Sequence, residues 1–170
     1  MNVLFLAAGA SVRGRAESYP AYLAEIKGRT VLELIHLGVA PLRPRKCIFA
    51  VHNDDIEHFH MDAVVRLLGP EAAVLRVAGE TQGAACTALL AVRDIDGDEE
   101  LVIANVTDLI RSDLERTVRH FRDAGADAGT VVFDSLHPRY SFIRQDADGR
   151  VIEAAERRPI SRKATAGFYW

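Results

Sequence analysis

The sequence predicts an α/β chain of Rossmann-like, three-layer α/β/α architecture, with a mostly parallel sheet and a small antiparallel strand pair near the C-terminal end. Three observations carry that expectation. Apolar runs at residues 3–6, 46–51, 73–77 and 101–104 have the length and the Val, Ile, Leu and Phe content of buried parallel strands. The segments between them have helical spacing, and strand–helix alternation implies right-handed βαβ crossovers. Beyond Gly125 the alternation gives way to strand-like runs separated by turn residues, as in a platform appended to a nucleotide-binding half.

The first run lies within NVLFLAAGASVR, residues 2–13, and breaks into small residues followed by a lone Arg13. Small residues after a buried strand let the backbone approach a phosphate closely, and the N–H groups of such a turn favour an anion. Gly9 opens the turn. A single glycine there serves a purely structural turn as well as a phosphate cradle; Arg13 adds a guanidinium able to grip phosphate oxygens bidentately. Residues 30–37 place Val31, Leu34 and Ile35 on one helical face. Residues 56–68 repeat the pattern through Phe59, Val64, Leu67 and Leu68 and stop at Gly69-Pro70. Residues 83–92 are small and apolar all round, which predicts a helix packed closely against the sheet. Residues 113–124 read as an amphipathic helix ending near Gly125.

Residues 130–133 and 141–143 read as strands, Asp146-Ala147-Asp148-Gly149 as a hairpin turn, and Val151 opens another strand. Residues 166–170, AGFYW, have the character of a core strand. A single domain over residues 1–170 is expected, with a further segment missing beyond its aromatic end.

With 170 residues, 49% hydrophobic and 26% charged, the chain has the composition of one globular domain. Its formal net charge of −3 leaves no basic excess to neutralise a nucleic-acid backbone, so no nucleic-acid partner is expected. The local cluster Arg157, Arg158 and Arg162 suits a solvated face or a small anion. Cys47 and Cys86 are too few and too far apart for a disulfide framework or a metal knuckle, which points to a reducing cytoplasmic setting. No membrane partner is expected, since the N-terminal apolar run is far shorter than the ~20 residues a spanning helix needs. His58 and His60, two apart on a predicted helix, diverge around it, so these and His52 read as surface or partly buried helix residues. No G-x-S-x-G, HExxH or Cys/His pairing points to a hydrolase.

Five segments, read in order, form one pattern: LAAGASVR (residues 6–13), YPAYLAEIKGRTVLE (19–33), TQGAACTALLA (81–91), LVIANVTDLI (101–110) and EAAERRPIS (153–161). Together they resemble the sugar-phosphate nucleotidyltransferase family, of GT-A-like fold. The likeness is greatest to the branch of capsule and surface-polysaccharide clusters also labelled glycosyltransferase family 2, and it spans nearly the whole chain. The resemblance implies transfer of a nucleotidyl group from a nucleoside triphosphate to a phosphorylated small molecule, with release of pyrophosphate and with Mg2+ as cofactor. It assigns nucleotide binding to Leu6, Ala7, Ala8, Gly9, Ala10, Ser11, Gln82 and Gly83, catalysis to Arg13, acceptor binding to Glu156 and Arg158, and the metal to Asp108. A homo-oligomeric assembly is left open.

Three positions depart from the family pattern. Ser11 stands where a second glycine is usual, Ala21 where a catalytic lysine follows the proline, and Thr107 where the metal-binding aspartate falls, with Asp108 one residue later. On an extended segment one residue's displacement turns a side chain to the opposite face, so Asp108 reaches a metal only if the turn after Asn105 starts early; otherwise it is a turn or capping residue. Gln82 and Gly83 read as a base-edge contact or as a simple helix start. Glu156 with Arg157 and Arg158 reads as an acceptor site or as a surface ion cluster. Three functions follow: an active nucleotidyltransferase, a degenerate nucleotide-binding module with a regulatory or assembly role, and a glycosyltransferase using a nucleotide sugar.

Overall fold

The computed structural model describes residues 1–9 and 19–170. Its sheet is built around β1 (Asn2–Leu6), paired in parallel with β4 (Lys46–His52) on one side and β6 (Leu101–Asn105) on the other. A further parallel strand, β5 (Ala72–Val77), flanks β4, so the parallel part runs β5-β4-β1-β6. Alternation along β1 sorts its side chains to two cores. Val3, Phe5 and Ala7 join Phe49, Leu32 and Val118 on one face; Leu4, Leu6 and Ala8 join Ile48, Ala50 and Ala91 on the other. Two buried faces make the three layers that the apolar runs predict.

The first face is covered by α1 (Val31–Val39), α2 (Asn53–Phe59), α3 (Met61–Arg66) and α5 (Leu114–Asp123). Thr30 caps α1 by accepting from the Glu33 N–H at 3.1 Å, and Asp113 caps α5 from Arg116 N–H at 2.9 Å. Gly125, at φ 60°, ends α5 as expected. The helix expected over residues 56–68 is broken instead at His60, whose left-handed φ of 52° separates α2 from α3. The break re-phases the apolar face: Ile56, Met61 and Val65 are buried while Leu67 is 87% exposed.

The second departure is α4 (Ala84–Leu90), on the other face of the sheet. Only Thr87 of this helix is buried, and Leu89 and Leu90 are exposed. Close packing is confined to the Ala88 and Ala91 side; the small residues at its start border a cleft instead. Small size therefore keeps space open here rather than closing it.

The C-terminal part is antiparallel, as expected. β10 (Lys163–Tyr169) lies between β6 and β7 (Thr130–Asp134), and β8 (Phe142–Gln145) pairs with β9 (Val151–Ala155) across the Asp146–Gly149 turn. β10 changes partner along its length. Phe168 and Tyr169 pair with β6, whereas Lys163 and Ala164 pair with β8. The register shifts between Thr165 and Tyr169, around Gly167 at φ 68°, where a Cβ would come 2.5 Å from Asn105 Nδ2. That bulge lets one strand join the parallel half to the β8–β9 platform.

A second, unexpected hairpin lies in the YPAYLAEIKGRTVLE segment: β2 (Glu25–Ile26) and β3 (Arg29–Thr30) meet across Lys27-Gly28, both at positive φ. Before it, Ala21–Leu23 forms a 3-10 turn whose Tyr22 is fully buried and donates from Oη to Asp55 Oδ2 at 2.8 Å. Among the described residues, no helix is long and apolar enough to cross a membrane. Gly167→Ala is expected to destabilise the fold by about 1–3 kcal/mol, since left-handed strain adds to the clash with Asn105; urea unfolding measures it.

Candidate functional site

The strand order reverses between β1 and β6, and both end on the same side, with Leu6 in register with Asn105. In open α/β sheets the crevice at such a switch point is where ligands bind. A cleft of about 530 Å³ lies there. Its walls come from the end of β1 (Leu6, Ala8, Gly9), the turn into α4, the end of β6 (Asn105, Thr107), the approach to β8 (Arg139, Ser141), and the exit from β9 (Glu156, Arg157).

Each wall has a local cause. Ala7 points into the opposite core, fully buried, and its N–H donates to Ala50 O at 2.9 Å, so the strand pairing is extended one residue past β1. Ala8 and Gly9 then present little side chain to the cleft. At the start of α4 the Thr81 and Thr87 hydroxyls share a hydrogen bond of 2.6 Å and each lies 3.3 Å from Gly83 O, so one donates to the other, which donates to that carbonyl. Gly83 itself has φ 135° and open space where a Cβ would be. Across the cleft, Tyr169 Oη and Thr165 Oγ1 lie 3.1 Å apart. Arg139 stacks its guanidinium 4.5 Å above the Tyr140 ring, which fixes a cation at the cleft's edge. Arg157, at φ 52°, faces Glu156 at 3.8 Å.

The structure thus brings together Leu6, Ala8, Gly9, Gln82, Gly83 and Glu156 of the residues the sequence analysis singled out, and adds Thr107. Others lie elsewhere. Arg158 is turned to Glu153, 3.4 Å away, on the platform. Arg162 makes a two-pronged contact with Asp134 at 2.6 and 2.8 Å, which holds that carboxyl below its ordinary range. The arginine cluster in the sequence is therefore three separate contacts, and only Arg157 lines the cleft. Asp108 borders two cavities outside the cleft, beside Ile110, where it accepts from the Thr107 hydroxyl at 3.3 Å. Ala21 is exposed on its 3-10 turn. Ala10, Ser11 and Arg13 lie outside the described residues.

Arg139, Ser141 and Tyr169 were not singled out as site residues. They come from segments far apart in sequence, and no local motif marks them. Among the histidines, His58 and His60 are exposed, whereas His52 is buried and accepts from the Asp54 N–H at 3.2 Å as the cap of α2.

The doubly wound sheet with an antiparallel platform places the chain in the α/β class whose sheets open a crevice at the switch point. No family model and no curated protein matches the chain. Solved structures do. A nucleoside-diphosphate-sugar pyrophosphorylase from Vibrio cholerae RC9 is 23% identical, with 99% of this chain and 72% of that chain covered at a TM-score of 0.70. A UDP-glucose pyrophosphorylase complexed with UDP-glucose is 14% identical, over 99% of this chain and 74% of that chain, at a TM-score of 0.78. HddC from Yersinia pseudotuberculosis, complexed with GMP-PN, is 19% identical over 99% and 75%, at a TM-score of 0.70. The chain therefore has the fold of the sugar nucleotidyltransferases.

The hydroxyl network under the cleft yields a stability prediction. Thr87→Val preserves shape but removes the hydroxyl partner of Thr81, while Gly83 O keeps the Thr81 hydroxyl and the backbone N–H of residue 87, and is expected to cost about 1 kcal/mol in urea unfolding.

Proposed function

We propose that the cleft binds a nucleoside triphosphate and that the protein transfers its nucleotidyl group to a phosphorylated sugar, releasing pyrophosphate. The observation that carries this reading is the convergence, at one switch point, of a small-residue strand end, an open glycine turn and two cleft-lining arginines. The fold of nucleotide-bound neighbours supports it. In this reading Ala8 and Gly9 let the chain approach phosphate oxygens, and the Gln82 amide meets the edge of the base beside Gly83. An oxygen of the sugar phosphate attacks the α-phosphorus. A new P–O bond forms, the bond to the bridging oxygen breaks, and pyrophosphate leaves with that electron pair. The product is an activated sugar of the kind that surface-polysaccharide assembly consumes.

Such a transfer depends on positioning and on cations near the developing charge. Ala21 supplies none. Arg139 and Arg157 line the cleft and take that role in this reading, with Glu156 orienting Arg157 toward the acceptor phosphate. The residues after β6 do not fit a resident magnesium: Thr107 lines the cleft, Asp108 does not, and magnesium binds through hard anionic oxygen. No step here is routed through a metal. The same two positions, Ala21 and Thr107, favour a second reading, a nucleotide-binding module without turnover. A glycosyltransferase would need acidic residues facing the cleft after β6, and Asp108 does not face it.

Incubation with each nucleoside triphosphate and a panel of sugar phosphates, with pyrophosphate monitored, tests the proposal alongside calorimetric titration. Binding with release supports transfer, binding without release supports the module, and no binding overturns both. If release is seen, Arg157→Ala is expected to lower turnover by about 100-fold, as removal of a positioned cation does. Arg158→Ala and Asp108→Asn should change it by no more than about threefold, since charges outside the cleft contribute little. Ala21→Lys should raise the rate.

A further inference from the structure

A second cluster of reactive side chains lies on the other face of the sheet, outside the cleft. His36 from α1, Cys47 from the start of β4 and Glu71 from the lead into β5 bring a ring nitrogen, a sulfur and a carboxylate oxygen within 4.8 Å of one another. They come from three elements of the rigid sheet layer. Cys47 N–H donates to Glu71 O at 2.9 Å, so the strand pairing itself holds two of the three side by side. Among the described residues this is the one such group.

His36 is 6% exposed and lies beside the stacked rings of Phe5 and Phe49, 6.2 and 6.0 Å away. Its Nδ1 is buried without a hydrogen-bond partner, and its Nε2 reaches Glu71 Oε1 only at 3.5 Å, beyond a normal hydrogen bond. An imidazole buried so poorly satisfied is costly in an apolar core. Cys47 is fully buried, and burial together with Glu71 pushes its thiol up to about 12. Glu71 is held over Gly69, where a Cβ would lie 2.6 Å from its carboxylate oxygens. A glycine at 69 thus makes room for the carboxylate to turn toward the histidine.

We propose that His36, Cys47 and Glu71 form a structural binding site for one zinc-class divalent metal ion. The donor set of imidazole, thiolate and carboxylate is that of zinc and its borderline-soft relatives. A tetrahedral ion with bonds near 2.0–2.3 Å needs ligand atoms about 3.5 Å apart. Side-chain rotation closes the present separation of up to 4.8 Å. The half-exposed Glu71 side gives the ion its entry path and a water its place as fourth ligand. Binding removes the Cys47 proton to solvent and leaves the sulfur as thiolate on the metal, with no redox change. The ion clamps α1, β4 and β5 together, and takes no part in the cleft.

The test uses the whole chain, stripped by a chelator and titrated with Zn2+ by calorimetry and with Co2+ optically. One equivalent is expected to bind with release of one proton, Co2+ is expected to develop a thiolate-to-metal charge-transfer band, and zinc is expected to raise the melting temperature. Cys47→Ser should abolish the band, Cys86→Ser should leave it intact, and Glu71→Gln, at the half-exposed rim, should weaken binding at least about tenfold. If Cys47→Ser fails to fold, the Cys86→Ser and Glu71→Gln results decide. No stoichiometric binding to the wild-type chain overturns the proposal, as does binding of undiminished affinity in Cys47→Ser or Glu71→Gln, or binding that is lost with Cys86→Ser. None of these readouts involves nucleotide, so failure of the cleft's proposed function leaves them unaffected.

Discussion

Parallel pairing of β1 between β4 and β6 is the constraint on which everything else rests. A strand buried on both faces must offer apolar side chains in both directions, and Val3, Leu4, Phe5 and Leu6 do so with almost no exposure. Phe5 stacks on Phe49 at 4.4 Å across the pair, which ties the layer of α1 and α2 to the sheet. Because β4 and β6 lie on opposite sides of β1, the strand order reverses there, and the cleft lies at that reversal.

The rim of that space is built from strand ends and from the segments that leave or approach them. The β1 end and the turn before α4 contribute small residues, whereas the platform contributes charge through Arg139, Glu156 and Arg157. The two halves are joined by β10, which pairs with β6 at one end and with β8 at the other. The register shift around Gly167, in the pairing of β10 with β7, falls on the stretch between those two pairings. Solved structures complexed with UDP-glucose and with GMP-PN share this fold, and fold alone does not assign a function.

Much of the fold was legible residue by residue. The four parallel strands follow from runs of Val, Ile, Leu and Phe, and the β8–β9 hairpin from Asp146 to Gly149, because burial and turn geometry are dictated locally. The helix over residues 56–68 was misread because periodicity carries no warning that His60 takes a left-handed conformation. For α4, an all-apolar surface suggests burial, but the helix borders open space and its small residues serve the cleft. In the candidate site, motif order pointed to Gly9, Gln82, Gly83 and Glu156. It also pointed to Arg158, whereas Arg157 is the one that lines the cleft, since adjacent residues of like charge differ only in which way the backbone turns them.

By itself the sequence determined the four parallel strands, the amphipathic helices α1 and α5 and the antiparallel end, because each depends on contacts a few residues apart. Tertiary structure alone decided that Thr107 lines the cleft and Asp108 does not, that Arg139 reaches it, and that His36, Cys47 and Glu71 meet. Those outcomes depend on where distant segments end relative to one another. That is set by the pairing register of the sheet and by a single bulge in β10, neither of which has a local signature.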